Sequence, residues 1–323
     1  FADAKNIGSI EDLEKLDEYK DGVLTVPVEG LTLNLTADIG NPSNPIDMKI
    51  VLDGNLKITS AEDKSIYIQA TGENAYTVTF NKTGTIFAVE GANVTLDANG
   101  ATSSVINNMY PNNMDGTVMV TGGANLTIKH TSGGSTWLDS NMSGHYSLLY
   151  VKDSTVNFDD VHSIQNIDIL ADTATIYANA SENTTITGYF NLTKTTLTGT
   201  NIGMYAAKLV DSDVTANVFG VYSGATTPDA AKAYGSSVYT VNTISMDKYS
   251  SVTAKKIIND LSIAGLYAGS STINFSSAGT VSGELTGVKK GDTQTTGTYK
   301  FTGINADGVT LGDNAKIAEG SNY

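Results

Sequence analysis

Apolar and polar residues alternate along most of this chain, as in Val23-Leu-Thr-Val-Pro-Val28, Leu31-Thr-Leu-Asn-Leu35, Met48-Lys-Ile-Val-Leu52 and Leu56-Lys-Ile-Thr59. Period-two alternation rich in Val, Ile and Thr, broken by Gly, Asn and Asp, predicts strand after short strand. One segment has a different period. Ile10, Leu13, Leu16 and Tyr19 stand three apart, Ser9 and Asp12 are spaced like a capping box, and Lys20-Asp21-Gly22 supplies a basic end and a Gly stop. This predicts an amphipathic helix over 10–20, placed to cover the apolar end of the strands that follow.

A phrase recurs among the strands. Val89-Glu-Gly-Ala-Asn93-Val-Thr95-Leu96 returns as Val120-Thr-Gly-Gly-Ala-Asn125-Leu-Thr127-Ile128. Looser echoes follow at Leu148–Phe158, Ile167–Tyr177, Leu192–Thr198, Val210–Thr215, Ile244–Thr253 and Leu266–Phe275. The first anchors are spaced by about 31 residues and the next by about 20, a period that marks the coils of a solenoid. The predicted fold is therefore all-β, an irregular right-handed parallel β-helix with an N-terminal capping helix. Tandem β-sandwich domains are the alternative, since short strands with frequent turns suit them too. The expected organisation is a cap over 1–22, a solenoid over 23–290 and terminal strands over 291–323 that form an end coil or a subunit contact. Uneven spacing places loop insertions near 107–115, 131–146 and 225–236.

Composition narrows the function. Of 323 residues, 40% are hydrophobic, enough for a core, while the formal net charge of -15 repels nucleic acid. No Arg is present, which removes the planar fork used against carboxylates and phosphates. Cys is absent as well, so there are neither disulfides nor thiolate metal sites. No apolar run is long enough for a transmembrane helix. The opening Phe1-Ala-Asp-Ala reads as a mature form from which a signal peptide has been removed.

The paired phrases at 89–96 and 120–128, following a helix and a Gly-bounded strand, resemble extracellular right-handed parallel β-helix surface proteins, the adhesin-like and surface-layer-associated solenoids. That resemblance implies a secreted or cell-surface structural or adhesive protein, not an enzyme, that self-associates head-to-tail or laterally into a filament, lattice or coat. The alternative is an extracellular glycan-binding or glycan-degrading β-helix, a polysaccharide hydrolase or lyase. Asn157-Phe-Asp159-Asp160-Val-His162 resembles the paired-carboxylate motifs of polygalacturonase-type hydrolases, where two carboxylates serve as acid and base. The partner Gly-His-Gly and Arg-x-Lys motifs of those enzymes are missing, so Asp159, Asp160 and His162 stand only as catalytic candidates.

His130, His145 and His162 fall close enough in sequence for stacked coils to bring two onto one flank. Asp159, Asp160, Asp211 and Asp213 supply the hard oxygens that calcium takes, and calcium is the one cofactor the sequence offers. Tyr is abundant, with 16 copies against a single Trp. Tyr146, Tyr150, Tyr177, Tyr189 and Tyr205 lie near coil anchors, where exposed rings would stack on surface glycans.

Overall fold

A computed structural model describes residues 3–70, 77–82, 84–100, 106–107, 116–130, 136–137, 147–182, 184–221, 242–259, 272–287, 289–290, 293–294 and 296–323. The described chain is all-β and dominated by parallel pairing, as a solenoid requires. It divides into two compact units, Phe1–Ile167 and Asp168–Tyr323.

In the first unit successive turns of the chain add strands to three parallel ladders. The first ladder stacks Ala4–Ile7, Leu31–Leu35, Leu56–Thr59, Thr85–Glu90, Gly116–Thr121 and Ser147–Lys152. The second stacks Ile46–Asp47, Ser65–Gln69, Asn93–Asp97, Asn125–Lys129 and Thr155–Asp159. The third stacks Val23–Val26, Lys49–Leu52, Val78–Phe80 and Ile106–Asn107. In-register pairing places like residues over like. Leu33, Ile58, Val89, Val120 and Val151 form one interior column and Ile68, Leu96, Ile128 and Phe158 another, each at most 1% exposed. Burying a column of this kind contributes about 1.5–3 kcal/mol per side chain.

The two sequence phrases are successive coils in register, Val89 against Val120 and Asn93 against Asn125. Their Gly has a physical cause. The corner between the first and second ladders turns through left-handed backbone, supplied by Gly91 (φ 63°) in one coil and by Gly122 (φ 69°) with Gly123 (φ 78°) in the next. Asp153, Lys194 and Asp211 take the same conformation in later corners. The residue that closes each corner points inward and is small: Ala92, Ala124, Ser154, Thr195 and Ser212 are all buried.

The second unit keeps three parallel ladders but joins them in longer strands. Thr196–Val210 runs across all three, pairing with Thr175–Ala178 at its start and with Thr185–Thr193 along the remainder, with a register shift at Gly188/Tyr189. Asp213–Val221, Ser251–Ile258, Thr280–Thr286 and Asn305–Leu311 stack beside it in turn. Thr243–Met246, Thr272–Ser277, Gly297–Thr302 and Ala315–Ile317 complete the remaining ladder. Phe275 stacks on Phe301 with centroids 5.5 Å apart and tilts against Phe219 at 6.4 Å, filling the interior.

The N-terminal expectation needs correction. The helix covers only Ile10–Glu14, capped by Ser9, whose Oγ accepts the Asp12 N–H at 3.3 Å while Asp12 Oδ2 accepts the Gly8 N–H at 2.8 Å. Tyr19–Lys20 is instead a strand, antiparallel to Val23–Val26. Asp21 (φ 51°) and Gly22 (φ 79°) form the two-residue turn between them, so the Asp-Gly pair closes a hairpin rather than a helix. Ala4–Ile7, ahead of the helix, is an unpredicted strand on the first ladder. Of the insertions expected near 107–115, 131–146 and 225–236, residues 108–115, 131–135, 138–146 and 225–236 lie outside the described residues, while Asn107 and Thr136–Trp137 belong to short strands.

Candidate functional site

Chemistry-bearing side chains of the first unit gather at the C-terminal end of the second ladder. Ile68, Leu96, Ile128 and Phe158 point into the core, so the residues after them, Gln69, Asp97, Lys129 and Asp159, form an outward row in register. Asp97 is nonetheless only 4% exposed. The Tyr67 hydroxyl donates to its Oδ2, and Oδ1 accepts the Asn99 N–H at 2.7 Å and faces His130 Nδ1 at 2.9 Å. Lys129 lies 3.8 Å from Asp159 Oδ2 and 5.9 Å above the Tyr67 ring. His130 has φ 58°, and its backbone N–H donates to the Asp159 carbonyl at 3.1 Å.

The charges follow from this geometry. Burial pushes the Asp97 carboxyl up, but the bonds from Tyr67, Asn99 and His130 outweigh it and hold the group below the usual carboxylate range. Burial first, then the Asp97 hydrogen bond and charge, push the Tyr67 hydroxyl well above its ordinary value. An ionised Asp97 can only accept, so the proton of neutral His130 sits on Nδ1 and Nε2 is left with its lone pair. With 42% of its side chain exposed, His130 offers an oriented imidazole toward solvent. Chemically, the arrangement can donate or accept one hydrogen bond or proton at that nitrogen. Structurally, it ties the Ser65–Gln69, Asn93–Asp97, Asn125–Lys129 and Thr155–Asp159 strands together through side chains.

Only part of this site was foreseen. Asp159 belongs to it through Lys129, whereas Asp160 is an exposed left-handed corner residue (φ 56°) and His162 is half-buried. His145 and Tyr146 lie outside the described residues. Tyr67, Asp97 and Lys129 were missed, and the signal for them is the aligned column Gln69, Asp97, Lys129, Asp159 that appears once coils are set in register. In the second unit Asp211 donates its N–H to Asp247 Oδ1 at 3.0 Å, and Asp213 accepts from Ser251 Oγ at 2.6 Å. Among the described residues no three His, Asp or Glu side chains converge to hold a metal ion. Of the Tyr candidates, Tyr177 is 43% exposed and Tyr150 half-buried. Tyr189 is fully buried, its ring 5.2 Å from that of half-buried Tyr205, so these two fill the interior of their unit.

No helix among the described residues is long and apolar enough to cross a membrane. No family model matches the chain, and neither curated proteins nor solved structures give a match.

Proposed function

We propose that this protein is a secreted or cell-surface structural and adhesive β-solenoid that self-associates into a filament, lattice or coat. The observation that carries the reading is where the polar side chains go. Asn34 donates to Asn6 Oδ1 at 3.0 Å, Asn125 to Asn93 Oδ1 at 2.7 Å, and Asn93 to Asp63 Oδ1 at 3.0 Å. The Tyr67–Asp97–His130 cluster likewise joins neighbouring coils. Side chains that hold coil to coil stiffen a scaffold and leave it free of disulfides. In this reading the solenoid is right-handed and the Ile10–Glu14 helix caps it. Asn305–Leu311 and Ala315–Ile317, each paired on one side among the described residues, are the strands that self-pair in this reading. Electron microscopy and sedimentation of the purified chain test the proposal. Filaments, sheets or concentration-dependent oligomers are expected, and a dispersed monomer at every concentration would overturn it.

A glycan-degrading role is the second reading, favoured by the half-exposed imidazole that Asp97 orients. It requires that His130→Ala abolish depolymerisation of a polysaccharide while leaving the fold intact, as judged by circular dichroism.

A further inference from the structure

One sheet face of the second unit is lined by hydroxyl side chains. Ile176, Leu197, Val214, Val252 and Val281 form a fully buried column. The residues that follow them must point outward, and they are Tyr177, Thr198, Thr215, Thr253 and Ser282, paired in register from strand to strand. The column on the other side of the buried one holds Thr196, Asp213, Ser251 and Thr280, with Ser251 Oγ bonded to Asp213 at 2.6 Å. Within these two columns the face is a grid of hydroxyls with one carboxylate, and exposed Lys194 and Lys255 stand beyond its two sides, in a chain of net charge -15. Tyr177, 43% exposed, puts an aromatic ring at the start of the outer column.

We infer that this face binds a neutral linear glycan chain running along the Tyr177–Ser282 column. The inference rests on the adhesive reading above and names its partner. The spacing of parallel strands sets the hydroxyls about 4.8 Å apart, so the column is about 20 Å long. With a width near 10 Å, the face covers about 200 Å², against the roughly 800 Å² per partner that a stable protein interface needs. A second copy of this chain therefore gains too little here, whereas a thin chain with a hydroxyl on every ring meets a donor and acceptor at each step. Thr is stiff at χ1, so its hydroxyl and methyl are held in place before any ligand arrives. The Tyr177 ring offers the stacking surface that the apolar face of a sugar needs. The protein's net charge of -15 repels uronates and sulfated chains.

Calorimetric titration of the full chain with cellohexaose, mannohexaose, xylohexaose and hexagalacturonate tests the inference. At least one neutral hexaose binds and hexagalacturonate does not. Tyr177→Ala weakens binding up to about tenfold, the scale of one aromatic stacking contact. Thr215→Lys with Thr253→Lys, two long cations set into the grid, abolishes binding. Ser245→Lys, on a separate outward column beside Lys208, leaves it unchanged. Circular dichroism confirms that each variant is folded, and Tyr177→Ala, which removes a half-exposed side chain, remains informative if the double variant is not. No binding of any neutral hexaose at about 10 mM, a Kd weaker than any useful single-chain affinity, overturns the inference. So does equal binding by Tyr177→Ala and wild type, or tighter binding of hexagalacturonate. Wild-type protein that assembles into filaments but binds no sugar overturns this inference alone and leaves the scaffold reading standing.

Discussion

Removing the Asp97 carboxylate separates a coil-locking role from a catalytic one. Asp97 is the acceptor for three donors, but they differ in what replaces it. Asn99 is exposed and His130 is 42% exposed in its side chain, so both turn to water. Tyr67 is 8% exposed, so its hydroxyl is left without a partner. A hydrogen bond to a charged group contributes about 1.5–3 kcal/mol, and an orphaned buried hydroxyl costs about 1–3 kcal/mol, so Asp97→Ala is expected to destabilise the first unit by about 3 kcal/mol. Coupling in a double-mutant cycle is expected at about 2 kcal/mol between Asp97 and Tyr67 (Tyr67→Phe) and below about 1 kcal/mol between Asp97 and His130 (His130→Ala). The single Trp, Trp137, lies in this unit, so its fluorescence during urea unfolding reads the effect. A loss of about 3 kcal/mol lowers the midpoint by about 1 M or more at ordinary urea slopes. The pH dependence has a fixed sign. The depressed Asp97 contributes stability that is present above the unfolded value of 3.8 and lost as pH falls through its lower folded value, so wild type and Asp97→Ala converge in acid. Tyr67, raised from 10.0, contributes stability below pH 10 that is lost as pH climbs through the folded value. A midpoint shift under about 0.3 M, or stronger coupling to His130 than to Tyr67, would refute the locking role.

Three further outcomes follow from the corners and core of the second unit. Ser212, fully buried, accepts the Thr195 N–H at 3.0 Å and donates to the Val210 carbonyl at 2.9 Å, so Ser212→Ala orphans a buried N–H and costs about 1–3 kcal/mol in thermal unfolding. Phe275→Ala empties the aromatic stack between Phe219 and Phe301 and costs about 3–5 kcal/mol, enough to be seen as early local melting by hydrogen exchange. Gly283 has φ 140°, and a Cβ there would lie 2.1 Å from the Ala254 carbonyl oxygen, so Gly283→Ala is expected to cost more than about 3 kcal/mol and to show as reduced soluble yield.

The solenoid was legible because its two determinants are local. Alternation fixes which side chains face inward, and the Gly-Ala-Asn corner fixes where one ladder gives way to the next; Val89–Leu96 and Val120–Ile128 carry both and pair in register. The N-terminal helix was overextended because the three-residue spacing of Ile10, Leu13, Leu16 and Tyr19 satisfies a helix on paper. In the fold, Leu13 is the one buried residue of the helix, and a better partner for Tyr19 lies across the Asp21-Gly22 turn at Leu24. Ala4–Ile7 has no apolar alternation of its own, and pairing with Leu31–Leu35 alone makes it a strand. The Asp97 cluster was illegible for another reason: its partners lie 30 and 33 residues away, at Tyr67 and His130, and become neighbours only after coil length is known.

Coil length is also what decides where a regular surface can exist. Parallel pairing asks only that strands return in register, so residues added at a corner leave the ladders untouched. Side-chain bonds between adjacent coils of the first unit span 25–33 residues, 30 from Tyr67 to Asp97 and 33 from Asp97 to His130, and the extra length leaves the ladder after Gln69, Asp97 and Lys129. In the second unit Thr195 reaches Ser212 across only 17 residues, whereas Ser212 reaches Ser250 across 38, the difference being inserted after Val221. The Thr198–Ser282 face escapes both kinds of insertion. One side is bounded by left-handed corners at Lys194 and Asp211, and the other by Gly199, where a Cβ would meet Ile202 Cγ1 at 2.6 Å. An outward column that repeats Thr198, Thr215, Thr253 and Ser282 in register is a surface on which a repeating ligand finds the same contact several times.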